Sequence, residues 1–572
     1  MDVQSVVEAE PLSLAAVSEV TPNRVWWRRP DHLVAVVATT LIVFLHVCLT
    51  PNVGGLWRDE VNTINLATLP TWHDLWQFHN QDSFPLLFAS TVRIWSGVFG
   101  SGDDSIRLLG LMIGLAVVAA FWINARLMGL PFPFWSLVLV GANPMIIRYG
   151  DSARGYGLSL IFLLLMFGFI WSLTQRLEWR RLVIATVTAV MGVHATYYNA
   201  VLLFAICAGG CFVSLRERNW RTVFAVVGIG AVAAISLLPY APTFLYANEW
   251  NFLVQYPFTI AWMWERLSEV IGSPSSIGVL VWSGLVLAAV IATMMAMFRG
   301  GGGGDHAGRE RSRIVSFCGV ALIVGILGYA GFLKLLNYYT QPWYYLSLIT
   351  FVAVCIDPIL WPKDIGLHPP LRAGAAALLL ALTAVPGSRI VAARHTNLDL
   401  VAHHLETLAA PEDLILLTQW ECGVTLQRYY RGRTPWLTIP PLSDFRFQSH
   451  QPIMEQMLAE APLQPILAQA ERALKSGHRV WLVGETPIPR SGRAPAVLPR
   501  FGDGNGGWRD LREGLRVRKL SSMTFYVVWR MQVMHFLRAH ATRGSQIEGP
   551  VAVQPRMQEF ENLKFTMVEG WR

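Results

Sequence analysis

Long apolar runs separated by short polar joints dominate the chain up to about residue 391. A helix needs about 20 largely apolar residues to cross a bilayer. Runs of that kind lie near 32–50, 106–126, 132–149, 155–174, 222–240, 277–298, 314–333, 343–361 and 371–390. The stretch 182–215 is long enough for two short helices broken around 195–199. The pattern therefore predicts about eleven transmembrane helices over 31–391. Beyond that the periodicity changes. A helix over Leu398–Leu408 precedes a strand at Leu414–Thr418, and a helix over Ile453–Lys475 precedes a strand at Arg479–Val483. Phe525–Val528 reads as a further strand, and the tail beyond Ala539 is expected to be disordered. The fold class predicted is a polytopic α-helical membrane protein with a small C-terminal α/β domain over 392–572.

Charge settles the direction of the chain. Only 15% of the 572 residues are charged and 53% are hydrophobic, whereas a soluble globular chain carries about 25% charged residues. The net charge of +8 does not point to nucleic acid, because the basic residues sit in small clusters between apolar runs. Arg24, Arg28 and Arg29 precede the first run. Every second joint after it is basic: Arg126; Arg176, Arg180 and Arg181; Arg216, Arg218 and Arg221; Arg299, Arg309, Arg311 and Arg313; Lys363 and Arg372. Positive joints mark the cytoplasmic side. The leader 1–30 is then cytoplasmic, and an odd number of spans puts the C-terminal domain outside. The first run is not a cleavable signal, since it lies behind a polar leader and exceeds a signal core in length. Gly300–Gly304 reads as a flexible cytoplasmic linker.

The six cysteines show no spacing of a disulfide framework. Cys207 and Cys211, four apart on one predicted helix, read as small core residues.

The candidate chemistry lies in the outer loops. The first, 51–105, opens with Leu56-Trp57-Arg58-Asp59-Glu60, two adjacent carboxylates just past a span. A carboxylate there suits a general base towards an acceptor hydroxyl; it equally suits the start of a helix near Val61. Trp72 through Phe78 carries aromatics at helical spacing, as in a helix lying in the interface. Asp82 precedes the Pro85 helix start, where it either binds an acceptor, supports Asp59 or serves that helix end. The second outer loop holds Arg148, Asp151 and Arg154 within a few residues. A guanidinium is a natural partner for a phosphate diester, and Arg154 is the candidate; the alternative is an Arg148–Asp151 or Arg154–Asp151 ion pair closing a tight turn. His194, Tyr197 and Tyr198 follow in the third loop, where His194 either donates to phosphate or sugar or simply packs. Lys334 and Tyr338 offer lipid-phosphate or sugar contacts, or else a snorkelling Lys beside an aromatic belt. No His, Cys or carboxylate set has metal-ligand spacing. No cofactor is indicated, although a divalent metal stays open.

In this order, these motifs resemble the GT-C superfamily of membrane glycosyltransferases, in particular the protein O-mannosyltransferases, the lipid A aminoarabinose transferase and the rhizobial core-transferase-like family. The resemblance rests on Asp59-Glu60; on Asp82 through Pro85 to Phe88 followed by Phe99-Gly100 and Arg107-Leu108; on Tyr149 through Arg154 to Tyr156; and on His194 with Tyr197-Tyr198. It covers about 30–215, continues loosely to about 390 and leaves the C-terminal domain out. It implies an inner-membrane enzyme that takes a sugar from an undecaprenyl- or other polyprenyl-phosphate donor, with inversion. Asp59 is then the catalytic base and Arg154 the phosphate ligand, aided by Lys334, Tyr338 and His194. Glu60, Asp82, Asp151, Tyr197 and Tyr198 are placed around donor and acceptor, the latter a glycan, lipid or protein. Two departures stand out: Phe84-Pro85 replaces a frequent Pro-Pro, and Ser152 replaces a Glu common two residues before the loop Arg. A lipid-linked sugar flippase and a non-catalytic assembly protein of the same fold are the rival functions.

Overall fold

The computed structural model describes residues 30–253, 258–298, 306–337, 340–361, 369–485, 496–501, 505–547 and 561–572. Most of the leader, Gly300–Gly304, Lys363 and Tyr338 lie outside them.

The membrane part runs α1 (Pro30–Asn52), α2 (Arg58–Ala67), α3 (Trp72–Gln77), α4 (Leu87–Phe99), α5 (Asp103–Leu127), α6 (Pro144–Gly150), α7 (Tyr156–Gln175), α8 (Trp179–Ala195), α9 (Tyr198–Arg216), α10 (Trp220–Ser236), α11 (Ala241–Trp250), α12 (Ile260–Ile271), α13 (Ile277–Phe298), α14 (His306–Leu336), α15 (Leu346–Ile359) and α16 (Pro369–Val391). Eight helical stretches among the described residues are long and apolar enough to cross a membrane. The expectation was about eleven, and the difference has three sources. The run 182–195 forms α8, which has only 17 residues, and within the last apolar run, 371–390, the apolar stretch found is the shorter Ala373–Leu382. The run 132–149 is the real correction. It is not one helix but a π-helical turn at Leu137–Gly141 and then α6, broken at Asn143-Pro144. Proline supplies no amide to a continuing helix. Asn143 instead accepts from Met145 N at 2.9 Å and donates to Val270 O at 2.8 Å. Asp357 of α15 accepts from the amides of Phe134, Trp135 and Ser136 ahead of the break. From Ser136 through Gly150 the broken run is buried, as interrupted backbone at membrane depth must be.

The basic joints meet at one end of the bundle. Arg313 of α14 donates to Thr174 O of α7 and pairs with Glu217 beyond α9. Arg311 donates to Ile359 O at the end of α15. The opposite end of α7, about 30 Å away at 1.5 Å per residue, carries Arg154 and meets the first outer loop.

Close approach at that end depends on glycine. A Cβ at Gly110 of α5 would run into Asp151 O, and one at Gly114 would meet the His46–Asp151 pair. Gly110→Ala is expected to lower stability by about 3 kcal/mol, the upper range for overpacking. A thermal melt in detergent checks this, and an unchanged midpoint would contradict it.

The C-terminal part contains α17 (Leu398–Leu408), β1 (Leu414–Leu417), α18 (Gly423–Tyr429), β2 (Trp436–Thr438), α19 (Gln451–Leu458), α20 (Gln464–Lys475), β3 (Val480–Val483), α21 (Trp508–Arg518), α22 (Ser522–His540), β4 (Ala541–Ile547) and β5 (Phe565–Trp571). The sheet order is β2-β1-β3-β5-β4. β1 is parallel to β2 and β3, while β5 is antiparallel to β3 and β4. The two strands read at 414 and 479 are the buried centre of this sheet. Phe525–Val528, expected as a strand, lies inside α22, where Phe525 and Trp529 fall on one buried face at helical spacing. The expected disordered tail is corrected at 541–547 and 565–571, where β4 and β5 pair with each other and β5 aligns Val568 with Val480, while 548–560 lie outside the described residues. The predicted helix 453–475 is two helices, α19 and α20, the second with Pro465 in its first turn.

Candidate active site

Helix α2 organises the loop end of the bundle. Its three consecutive residues Arg58, Asp59 and Glu60 point to different surroundings, as residues 100° apart on a helix must. Glu60 is 0% exposed. Oε1 accepts from Arg107 Nη1 at 2.7 Å and Ala153 N at 2.8 Å. Oε2 accepts from Arg107 Nη2 at 3.0 Å and Trp57 N at 3.2 Å. Four donors leave no carboxylate oxygen for a ligand, so Glu60 is a clamp between α2, α5 and the 150–155 loop rather than a substrate contact.

Asp59 differs. Its side chain keeps 22% exposure, and its ion pair is with Arg58 Nε at 3.5 Å. Arg58 also reaches Glu421 Oε1 at 3.8 Å, and both partners are about a quarter exposed. The open edge of the cluster thus carries Asp59, Arg58 and Glu421.

Directly behind Asp59 lies Arg154, 4% exposed. Its Nη1 donates to Asp59 O at 3.1 Å, to Thr63 Oγ1 at 2.6 Å and to Asp82 Oδ1 at 2.9 Å. Its Nη2 donates to Ser83 Oγ at 3.1 Å, and its guanidinium carbon sits 4.5 Å from the Phe84 ring centre. Nε has no acceptor among the described residues. Asp82 also accepts from Thr63 Oγ1 at 2.5 Å. The structure therefore brings Asp59, Asp82 and Arg154 together, with Arg154 and Asp82 already joined as a buried pair.

The other expected site residues divide. Asp151 does not pair with Arg154. It is buried and accepts from His46 Nδ1 of α1 at 2.7 Å, which takes it away from a substrate role. His194 is half-buried, with Nε2 3.1 Å from Ser236 Oγ and its ring against Tyr240. The packing alternative is the one its contacts match. Tyr197 packs on Tyr240 and Phe244 and lies within electrostatic reach of Asp82. Tyr198 faces another way, towards Tyr329, Phe332 and Tyr344. Lys334 is exposed on the last turns of α14, and among the described residues no hydrogen bond or ion pair ties it to the cluster.

Sequence reading passed over several residues that build this site. His46 had a usable signal, an ionisable group inside an apolar run. Arg107 stood in a motif without a role. Tyr429, Glu421 and Glu561 had none, because the C-terminal domain reaches α2 only in three dimensions. Tyr429 OH accepts from Leu56 N and donates to Asp103 Oδ2, both at 2.5 Å. Gln448 N donates to Asn62 Oδ1 at 2.8 Å. Glu561 Oε1 accepts from Arg58 N at 2.9 Å.

Burial pushes the Glu561 carboxyl up from its ordinary 4.5 to about 7, against the opposing pull of Arg58. The unfolded chain loses this proton near 4.5 and the folded chain near 7. Its contribution to stability is therefore complete below about 4.5 and is lost as pH rises through about 7. The melting midpoint of the wild type relative to Glu561→Gln should fall between pH 5 and 7.5. A constant difference would remove Glu561 as the titrating group.

A recess of about 340 Å³ lies beside the far end of α2, lined by Asn65, Phe447, Arg428, Arg431 and Arg446 among others. Arg428 is paired with Asp103 and Arg446 with Asp444. Its net charge is accordingly lower than its lining suggests. Among the described residues no group of three or more His, Cys, Asp or Glu is arranged to hold a metal ion.

Fold and site together define a multi-pass helical membrane protein whose C-terminal α/β domain is tied to a buried, charged loop cluster. No model of a known protein family matches the chain, and no curated protein sequence matches it. Among solved structures it is similar to ArnT from Cupriavidus metallidurans bound to undecaprenyl phosphate, at 13% identity and a TM-score of 0.46, over 79% of this chain and 92% of that one. It is also similar to the Archaeoglobus fulgidus oligosaccharyltransferase tethered with an acceptor peptide, at 11% identity and a TM-score of 0.45, over 93% and 75% of the two chains. A third similar structure is the arabinofuranosyltransferase AftD from Mycobacteria, at 13% identity and a TM-score of 0.43, over 94% and 40%.

Proposed function

We propose that the chain is a membrane glycosyltransferase that moves a sugar from a polyprenyl-phosphate donor to a cell-envelope acceptor, with Asp59 as the base. The observation that supports this best is that a partly exposed carboxylate and a buried cation lie side by side at one loop end. Asp59 is the open acid of the cluster, and Arg154 touches its backbone at 3.1 Å.

In the proposed step Asp59 takes the proton of an acceptor hydroxyl. The acceptor oxygen forms a bond to the anomeric carbon on one face. The bond from that carbon to the phosphate oxygen breaks on the other, with inversion, and polyprenyl phosphate leaves with the electron pair. Phosphate is a good leaving group and needs electrostatic help rather than an acid. Arg58 stands at the open edge, and Arg154 retains Nε and part of Nη2 as donors. Preorganised donors in a site screened from water are effective at stabilising such charge. Asp82, joined to Arg154 and Thr63, is assigned to holding that guanidinium in place rather than to gripping the acceptor.

The alternation of basic joints supports placing the leader in the cytoplasm and this site outside. Incubating the purified full-length protein with radiolabelled polyprenyl-phosphate hexoses and pentoses, plus envelope extract as acceptor, tests the reading. Label should pass to an acceptor fraction from one donor. Failure to consume any of the donors would sink it.

A further inference from the structure

The first amides of a helix have no partners within the helix and need acceptors from elsewhere. Helix α2 meets this need with parts far apart in sequence. Trp57, the residue before it, makes no side-chain cap. Its own amide is taken by Glu60. The Arg58 amide, first in the helix, is taken by Glu561, 503 residues away, at 2.9 Å.

Glu561 is itself held firmly. It is 3% exposed. Thr425 Oγ1 donates to its Oε1 at 3.3 Å. Its backbone bridges to Thr396, and its carbonyl accepts from Asn397 N at 2.9 Å. Asn397 in turn accepts from Leu563 N at 2.8 Å, just ahead of β5. The carboxylate lies within reach of the Arg58 guanidinium, Asp59 and the Cys422 thiol. The clamped amide is one residue from Asp59.

We infer that Glu561 is a positioning residue for the transfer reaction: by holding the first turn of α2 it sets the direction of the Asp59 carboxylate, so the C-terminal domain is part of the active site. This rests on the reading of Asp59 as base. A shift of about 1 Å in a reacting group costs on the order of 10²-fold in rate.

The test uses full-length protein carrying Glu561→Ala or Glu561→Gln, with two readouts: deuterium uptake of the peptide spanning 56–62, and kcat and KM for the labelled donor. Glu561→Ala should speed exchange across 56–62 by about 10-fold, as local opening becomes easier. It should lower kcat by roughly 10- to 100-fold while donor KM stays within about 3-fold. Glu561→Gln keeps a carbonyl oxygen for Arg58 N and should restore both readouts most of the way. If the Ala variant does not fold, Glu561→Asp, which draws the carboxylate back by one methylene, replaces it with the same expectations. Unchanged exchange, unchanged kcat, or a loss confined to KM would each overturn the inference. Asp59→Asn in the same assay separates the two failures. A fully active Asp59→Asn removes the base reading and this inference with it. An inactive Asp59→Asn beside a fully active Glu561→Ala removes this inference alone.

Discussion

Asp59→Asn is expected to lower kcat by about 10³-fold, or about 4 kcal/mol of barrier, within the usual range for loss of a general base. The amide nearly preserves shape, so the loss should come from the missing proton acceptor. Fold should be little affected, because the Asp59 side chain is partly exposed and its ion pair is with neighbouring Arg58. Donor KM should therefore remain close to the wild-type value. Glu60→Gln makes the natural comparison. It removes an acid one residue away, but from a fully buried clamp. Its main effect should be on melting temperature, not on the chemical step at full donor occupancy. If Asp59→Asn turned over at the wild-type rate, the base would have to be sought elsewhere.

Arg107→Met should be the most destabilising single change near the site, at about 3–5 kcal/mol, because it strands the Glu60 carboxylate in a closed interior. Arg107 also donates from Nη2 to Gly55 O at 2.8 Å, so the α1–α2 joint would loosen as well. Combining it with Glu60→Gln should recover part of the loss, because the second change removes the stranded charge. Melting midpoints of the two single variants and the double, arranged as a double-mutant cycle, give the coupling directly. Strict additivity would show that the pair is not the clamp described here.

These two expectations mark how the paired acids divide. Adjacent carboxylates after the first span were legible as a candidate site, since an acidic pair beside a bilayer is costly without a purpose. Which of them faces outward was not. Glu60 and Asp59 are neighbours in the chain, and the choice depended on Arg107 and the Ala153 amide, 47 and 93 residues away. Asp151 shows the same limit. Its spacing to Arg148 and Arg154 offered a local ion pair with either, yet its carboxylate is held by His46, 105 residues earlier.

Apolar run length and the alternation of basic joints were enough to read a multi-pass helical protein with an α/β domain after it, because burying apolar surface and keeping cations out of hydrocarbon are properties of local stretches. The break at Asn143-Pro144, the helical state of Phe525–Val528 and the strands after Ala539 were decided by packing. Asn143 needed the Val270 carbonyl, and β5 needed the edge of β3. The closure of the site belongs to the same class. A helix end capped by a carboxylate more than 500 positions away leaves no periodic trace in either segment, since the hydrogen bond exists only once both have folded.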